Sequence, residues 1–307
     1  MKILYAGTPD VAVPVLDGLI NSEHEIVAVL TRPDVPLGRK KTMTPSPVAQ
    51  CASKHQIPVI KATKITADVQ EQLQQVDADI AVVVAYGALI PQNALEIFHY
   101  GWLNIHFSLL PQYRGAAPVQ RAIMQGETTS GVSIFELEAG MDTGPLYDQW
   151  ECSIDDTTTS GELLEKLATE STSKLLNVLA DIEAGKQPQP QVGTPTIAPK
   201  LTLEDAHIDF SRDATTVIRQ INGVTPEPGA WALLDGKRFK IHRAVISTQT
   251  LQPNPGQLVF IKNKPAVLLV GTADQAIELI DVQAFGKQQM KATDFARGAQ
   301  LSGKVLT

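Results

Sequence analysis

The run Leu103-Asn104-Ile105-His106-Phe107-Ser108-Leu109-Leu110-Pro111 is the most informative stretch of the sequence. Because side chains alternate between the two faces of a strand, Asn104, His106 and Ser108 share one face. A buried parallel strand is usually apolar on both faces. A single strand histidine is most often an internally hydrogen-bonded core residue. Three polar residues together at the end of one strand instead favour a functional site.

The chain before this run alternates apolar segments with amphipathic ones. Such alternation predicts repeated strand–helix–strand units, and therefore a mostly parallel, Rossmann-like sheet covered by helices on both faces. The predicted strands are residues 3–6, 26–30, 59–60, 80–85 and 103–107. Loops at the carboxyl ends of these strands are the expected location of a site.

A domain boundary is predicted after a long helix that begins at the capping box Thr159–Glu162 and ends at Gly185. Four prolines then fall within twelve residues, a composition typical of a stiff linker. Short strands beyond it, separated by Gly, Pro, Asn and Asp, predict a small β-barrel. We expect a catalytic domain over residues 1–187, a linker over 188–203 and a second domain over 204–307.

Two further segments adjoin the predicted strand ends. Asp142 lies in the turn Gly140-Met141-Asp142-Thr143-Gly144, where an aspartate is a common turn former but can also pair with His106. Such pairing raises the pKa of the histidine and favours its protonated form. The run Gly38-Arg39-Lys40-Lys41 is either a solvated loop or an anion-binding segment beside the site.

Composition restricts the function classes. The 307 residues carry a net charge of −7, but the segment from Ile208 onward has 12 Lys or Arg and 8 Asp or Glu, so a mildly basic tail follows an acidic domain. Two separated cysteines predict neither a disulfide framework nor a zinc site. No signal peptide or membrane span is recognisable, so we predict a cytoplasmic protein. GxGxxG and Walker motifs are absent, which argues against dinucleotide and nucleoside triphosphate chemistry.

Three motifs together are similar to those of the folate-dependent formyltransferases. They are Asn-x-His-x-Ser-Leu-Leu-Pro at residues 104–111, Tyr-Arg-Gly-Ala-Ala-Pro at 113–118, and Met-Asp-Thr-Gly-Pro at 141–145. The resemblance covers nearly the whole chain and is strongest to the members that act on methionyl-tRNA. It implies formyl transfer from 10-formyltetrahydrofolate to the amino group of initiator methionyl-tRNA, by an enzyme that uses no metal.

The resemblance also implies residue roles. It assigns catalysis to Asn104, His106 and Asp142, with Asn104 and a protonated His106 stabilising the oxyanion. Folate is expected to contact two segments, Ser108, Leu109, Leu110 and Pro111, and Tyr86, Gly87, Leu89 and Ile90. The tRNA is expected to contact Arg39, Lys40, Lys41 and an OB-like C-terminal domain. We predict a monomer that does not associate with membranes.

Several alternatives stay open at this stage. The same catalytic residues can serve an amino-sugar nucleotide or glycinamide ribonucleotide as the amine, or water in a formyltetrahydrofolate hydrolase. From a different class, the chain can be a non-catalytic protein that binds folate or tRNA. The basic run and the β-rich tail favour tRNA as the substrate.

Overall fold

The computed structural model describes residues 1–38 and 40–307, and the chain folds into two compact units. The first unit comprises Met1–Ala116, Ser130–Cys152 and Leu164–Ala198, and the second comprises Ala117–Thr129, Ser153–Leu163 and Pro199–Thr307. The domain boundaries given above stay a prediction.

The first unit is built on a seven-stranded sheet. Its strands in chain order are β1 (Lys2–Gly7), β2 (Glu25–Thr31), β5 (Val59–Lys61), β6 (Ile80–Val84), β7 (Trp102–His106), β8 (Thr129–Glu136) and β9 (Leu146–Ser153), while β3 (Val35–Leu37) and β4 (Thr42–Thr44) form a separate hairpin. The spatial order is β5-β2-β1-β6-β7-β8-β9. The strands from β5 to β7 pair in parallel and β8 pairs antiparallel to β7, so the predicted Rossmann-like, mostly parallel sheet is confirmed.

Helices alternate with these strands along the chain. They are α1 (Val13–Ile20), α2 (Pro47–Lys54), α3 (Ala67–Gln74), α4 (Gln92–Leu95), α5 (Pro118–Gln125) and α6 (Ser160–Glu183). The predicted capping box opens α6: the Thr159 amide donates to Glu162 at 2.8 Å, and the Glu162 amide donates back to Thr159 Oγ1 at 3.3 Å. None of the helices in the described part of the chain combines the length and the apolar content that a bilayer crossing requires.

The sheet is held by an apolar core that also fixes the position of the site. Every residue of β6 is buried, and in β1 the residues from Ile3 to Gly7 are buried. This is the pattern of strands covered on both faces. Strand β7 follows β6 in the sheet, with Ala81 opposite Trp102 and Val83 opposite Asn104. The carboxyl end of β7, which carries Asn104 and His106, therefore lies within the sheet, between β6 and β8.

The second unit contains an antiparallel sheet. Its strands are β10 (Trp231–Leu234), β11 (Lys237–Ile246), β12 (Leu258–Ile261), β13 (Val267–Gly271), β14 (Ala276–Gln283) and β15 (Met290–Lys291), and its further helices are α7 (Ala214–Gly223) and α8 (Ala292–Gly298). The order is β10-β11-β14-β13-β12, with β15 on β14. Leu306 bridges Leu234 of β10, and Val305 bridges Gln257 beside β12, so the last residues join the two edges. The predicted fold class, an α/β domain followed by a small OB-like β domain, is confirmed.

Candidate active site

His106 lies at the carboxyl end of β7 and is buried, with 6% of its surface exposed. Its Nε2 is 3.0 Å from the carbonyl oxygen of Tyr113. A carbonyl oxygen can only accept, so Nε2 carries a hydrogen and donates it. In the neutral ring this leaves Nδ1 as the basic nitrogen. The ring of Phe135 lies edge-on to the imidazole, with centroids 6.4 Å apart.

Asp142 faces the basic nitrogen of that imidazole. Its Oδ2 is 3.7 Å from His106 Nδ1. This distance is too long for a hydrogen bond, but it is short enough for the carboxylate to attract a protonated imidazole. The same oxygen accepts the backbone amide of Gly115 at 2.7 Å. The structure thus brings together the histidine and the carboxylate that the sequence analysis paired.

The turn that carries Asp142 is fixed by its two glycines and by an unusual backbone angle. Asp142 has φ +53°, in the left-handed region that aspartate tolerates better than most residues. A Cβ on Gly144 would lie 1.7 Å from the carbonyl oxygen of Glu136, at the end of β8. Only glycine allows this close approach, so the turn is held tightly against the sheet.

The pKa of His106 is lowered from its ordinary value because burial disfavours the imidazolium more than the charge of Asp142 and the carbonyl of Tyr113 favour it. His106 is therefore neutral in the resting site at pH 7. The sequence predicts that Asp142 keeps His106 protonated, and burial of the ring, which the sequence motifs do not report, opposes this. A neutral imidazole with a free Nδ1 is suited to accept a proton instead.

Asn104 shares a face of β7 with His106, as the strand alternation predicts. Its side chain is half-buried, and within the described residues its carboxamide forms no hydrogen bond. The amide hydrogens of Asn104 are thus available as donors to a bound group.

The predicted folate segment at residues 108–111 is fixed by its own hydrogen bonds. Ser108 is 1% exposed, and its hydroxyl donates to the carbonyl of Gln112 at 2.7 Å. Ser133 accepts the amide of Leu110 at 3.0 Å and donates to the carbonyl of Ser108 at 2.7 Å. Gln149 donates to both Ser133 Oγ and the Leu110 carbonyl. Sequence reasoning missed Ser133 and Gln149, since both act only through tertiary contacts with a segment far from them in the chain.

The second predicted folate segment follows β6. Tyr86 is buried at 1% exposure, and its hydroxyl donates to the carbonyl of Ala62 at 3.0 Å, so its ring belongs to the core. The guanidinium of Arg32 donates to the Gly87 carbonyl at 2.8 Å and holds the loop. Leu89 is 85% exposed and Ile90 is half-buried. Backbone groups and these two apolar side chains are what the loop offers to a ligand.

Two residues of the predicted tRNA-contacting run, Lys40 and Lys41, lie between β3 and β4, which form a hairpin with Leu37 opposite Thr42. Lys40 and Lys41 are exposed, and neither forms an ion pair within the described residues. Arg39 lies outside the described residues. Val35, Leu37 and Met43 on the hairpin strands are also exposed.

A second cationic surface lies in the second unit. A cleft of about 840 Å³ is lined on one side by β12 and the loop after it and on the other by the end of α8 and the residues that follow. Lys262, Lys264 and Arg297 contribute charge to it, and Arg297 is paired with Asp294 at 2.6 Å. The net positive charge of this domain is evident from the sequence, but the position of the charges on its surface is not.

One cluster of metal-ligand residue types lies elsewhere in the first unit. The ligand atoms of Asp17, Cys51 and His55 are within 4.8 Å of one another, although the sequence spacing gave no indication of such a group. Cys51 donates to Asp17 Oδ1 at 3.0 Å, and burial together with this bond raises the pKa of the thiol to about 12. The thiol is therefore protonated and already satisfied.

Comparisons with known proteins all point to formyl transferases or to proteins that share their fold. Residues 1–179 match the formyl transferase family, and residues 200–300 match the formyl transferase C-terminal domain. The methionyl-tRNA formyltransferase of Cutibacterium acnes is 46% identical over 311 residues, covering 98% of each chain, and that of an Arthrobacter species is 47% identical over 299 residues, covering 97% of each. Crystalline HypX from Aquifex aeolicus, in complex with tetrahydrofolic acid, shares the fold with a TM-score of 0.72 at 20% identity, over 99% of this chain and 48% of that one.

Proposed function

The chain belongs to the formyl transferase family, and from this membership we propose that it transfers the formyl group of 10-formyltetrahydrofolate to the amino group of initiator methionyl-tRNA. The observation that carries the proposal is the 46% identity, over 98% of both chains, with a methionyl-tRNA formyltransferase. The similarity extends through the C-terminal domain. A small-amine substrate and a non-catalytic role are therefore not favoured.

The family supports a folate-linked formyl donor, and the two segments at residues 86–90 and 108–111 are the proposed folate contacts. The bonds from Ser133 and Gln149 hold the second segment in a fixed shape before the donor binds. A preformed site spends less free energy on ordering itself when its ligand arrives. Gly87, Leu89 and Ile90 are proposed to contact the pterin, with Tyr86 supporting them from the core.

The reaction needs no protein nucleophile, because the amine of the substrate attacks the formyl carbon itself. The C–N bond forms, and the carbonyl oxygen becomes an oxyanion. Neutral His106 accepts the proton lost by the attacking nitrogen at Nδ1. The carbonyl then re-forms from the oxyanion as the bond from carbon to the donor nitrogen of the folate breaks, and the His106 imidazolium gives its proton to that nitrogen and returns to the neutral form. The products are the formylated amine and tetrahydrofolate.

Each member of the proposed catalytic group has a distinct role. Asn104 donates to the oxyanion from its carboxamide, which bonds to no other described residue, and such a contribution is typically about 3 kcal/mol for one donor. His106 becomes a cation only after it takes the proton. Asp142, 3.7 Å from Nδ1, stabilises that cation when it forms. The carboxylate therefore acts mainly on the transition state rather than on the resting enzyme.

Recognition of tRNA is proposed for Arg39, Lys40 and Lys41 and for the cationic cleft of the second unit. Exposed, unpaired lysines can exchange their counter-ions for nucleic-acid phosphates without breaking protein contacts. An aminoacylated tRNA as substrate places the proposed reaction in the cytoplasm. The monomeric state stays a prediction.

The proposal is tested by incubating the protein with 10-formyltetrahydrofolate, labelled in its formyl carbon, and a mixture of charged tRNAs. We expect label on the methionine of initiator methionyl-tRNA. Glycinamide ribonucleotide and an amino-sugar nucleotide are included as competing acceptors. Label on either small amine, or release of formate alone, contradicts the proposed substrate.

A further inference from the structure

The proline-rich segment after α6 does more than connect two domains. Residues 189–198 run along both loops that hold His106. Gln189 exchanges two backbone hydrogen bonds with Leu146, at 2.7 and 2.8 Å, just after the Asp142 turn. Thr196 and Ala198 form backbone bonds with Arg114 at 2.9 and 2.7 Å. The segment therefore contacts the Asp142 turn and the loop that carries Tyr113.

The side chain of Gln191 joins these two loops to each other. Its Nε2 donates to the carbonyl of Asp142 at 2.9 Å and to that of Gly144 at 2.8 Å. Its Oε1 accepts from Arg114, at 2.6 Å from Nη2 and 3.3 Å from Nε. Both donor hydrogens and the acceptor of the carboxamide are used, and every partner lies in one of the two loops.

The loops joined by Gln191 carry the two groups that set the state of His106. The Tyr113 carbonyl fixes the hydrogen on Nε2, and Asp142 faces Nδ1. Asp142 and Tyr113 have φ values of +53° and +60°, in a region that non-glycine residues occupy only when their surroundings hold them there. The bond from Gln191 to the Asp142 carbonyl, and the bond from the Tyr113 amide to Thr196 Oγ1 at 2.8 Å, provide such surroundings.

We propose that Gln191 is a positioning residue, which holds the Asp142 turn at a fixed separation from the His106 imidazole. Its catalytic consequence rests on the proposed function, but the positioning itself does not. Glutamine suits the role because one end of its amide donates twice while the other end accepts from a guanidinium. Glutamate would place a carboxylate against two carbonyl oxygens, and an apolar side chain would remove the side-chain link between the two loops.

The test uses Gln191→Met, which keeps the size and removes all four hydrogen bonds. Gln187→Met is the matched control, because Gln187 lies two residues before this segment and is exposed, and among the described residues its side chain donates only to the Gly185 carbonyl at 3.2 Å. We expect kcat of Gln191→Met to fall about 10- to 100-fold, since an error of 1 Å in placement can cost this much. KM for methionyl-tRNA and for the folate should stay within about twofold, because neither substrate loses a contact.

A second readout does not depend on activity. NMR titration of the His106 ring reports its separation from Asp142, whose charge raises the pKa of the imidazole. We expect that pKa to be lower in Gln191→Met than in the parent and unchanged in Gln187→Met. If Gln191→Met does not fold, Gln191→Asn serves, since it is neutral and its shorter amide cannot bond to both loops at once, and the same direction is expected.

The outcomes separate the two proposals. If kcat and the His106 titration of the Gln191 variants match those of the Gln187 control, the positioning role is wrong, whatever happens to the melting temperature. If the parent forms no formylmethionyl-tRNA, the proposed function fails, and the NMR titration still tests the position of Asp142.

Discussion

The centre around His106 and the hairpin formed by β3 and β4 are built in opposite ways. His106 and Asp142 each have a hydrogen bond to the backbone of the loop at residues 113–115, and the imidazole ring is 6% exposed. On the hairpin, Lys40 and Lys41 are exposed and without ion pairs among the described residues. A reaction centre requires fixed geometry, whereas attraction of a polyanion requires charge that is free to move towards phosphate. We infer that chemistry and recognition of the polyanion are separable.

The largest effect is expected for His106→Ala and Asn104→Ala. Each should lower kcat by about 10²- to 10³-fold, since loss of an oxyanion donor or a proton acceptor typically has this effect. The KM for the folate should change little, because these interactions strengthen in the transition state. Steady-state kinetics with methionyl-tRNA check both variants. If kcat of either is that of the parent, that residue has no part in the chemistry.

The next effect is expected for Asp142→Asn, which should reduce kcat by about 10²-fold because His106 then accepts the proton without a carboxylate to stabilise its cation. Because burial lowers the pKa of His106, kcat of the parent should be constant around pH 7 and fall as the pH drops through that lowered pKa. Asp142 raises the pKa, so its removal should move the acidic limb to still lower pH. The pH dependence of kcat measures this. An acidic limb at the same pH as in the parent would remove Asp142 from the pair.

A smaller effect is expected for the hairpin. The triple variant Arg39→Ala, Lys40→Ala, Lys41→Ala should lower kcat/KM with methionyl-tRNA about tenfold and reduce the slope of log affinity against log salt by about 0.7 to 0.9 per lost phosphate contact. Arg39→Ala alone should reduce this slope by the amount expected for about one lost phosphate contact. Lys54→Ala with Lys64→Ala, two exposed lysines elsewhere in the same unit, is the control. Equal salt slopes for the triple variant and the parent would make the hairpin an ordinary surface loop.

The smallest effect is expected for the cleft of the second unit. Lys262→Ala with Lys264→Ala should raise KM for methionyl-tRNA a few-fold and leave kcat unchanged, because exposed cations attract phosphate without touching the reacting atoms. Filter binding at several salt concentrations checks it. An unchanged tRNA affinity would place recognition by this domain elsewhere on its surface.

The sequence predicted most of the sheet because a strand that is buried on both faces is encoded by a continuous run of apolar residues. Strands β1, β2 and β6 have such apolar runs. The polar residues at alternate positions of β7 indicated where the site lies. Strand β9 was missed because Tyr147, Asp148, Gln149 and Glu151 give it no apolar alternation at the edge of the sheet. The hairpin was missed because its strands have three residues each and one contains Pro36.

The site was predictable in its residue types but not in its electrostatics. Motifs paired His106 with Asp142, yet the protonation state depends on how deeply the ring is buried, which no local pattern encodes. The role of Gln191 was equally hidden, since its partners are 47 to 77 residues away along the chain and a proline-rich composition suggests only a linker.

Single-turnover kinetics with both substrates saturating test the central claim most directly, because the formyl-transfer step is then observed apart from binding. We expect the hairpin triple variant to react within about threefold of the parent and His106→Ala to react about 10²- to 10³-fold more slowly. The separation of chemistry from recognition is contradicted if the hairpin variant loses as much rate as His106→Ala at saturation, or if His106→Ala reacts as fast as the parent.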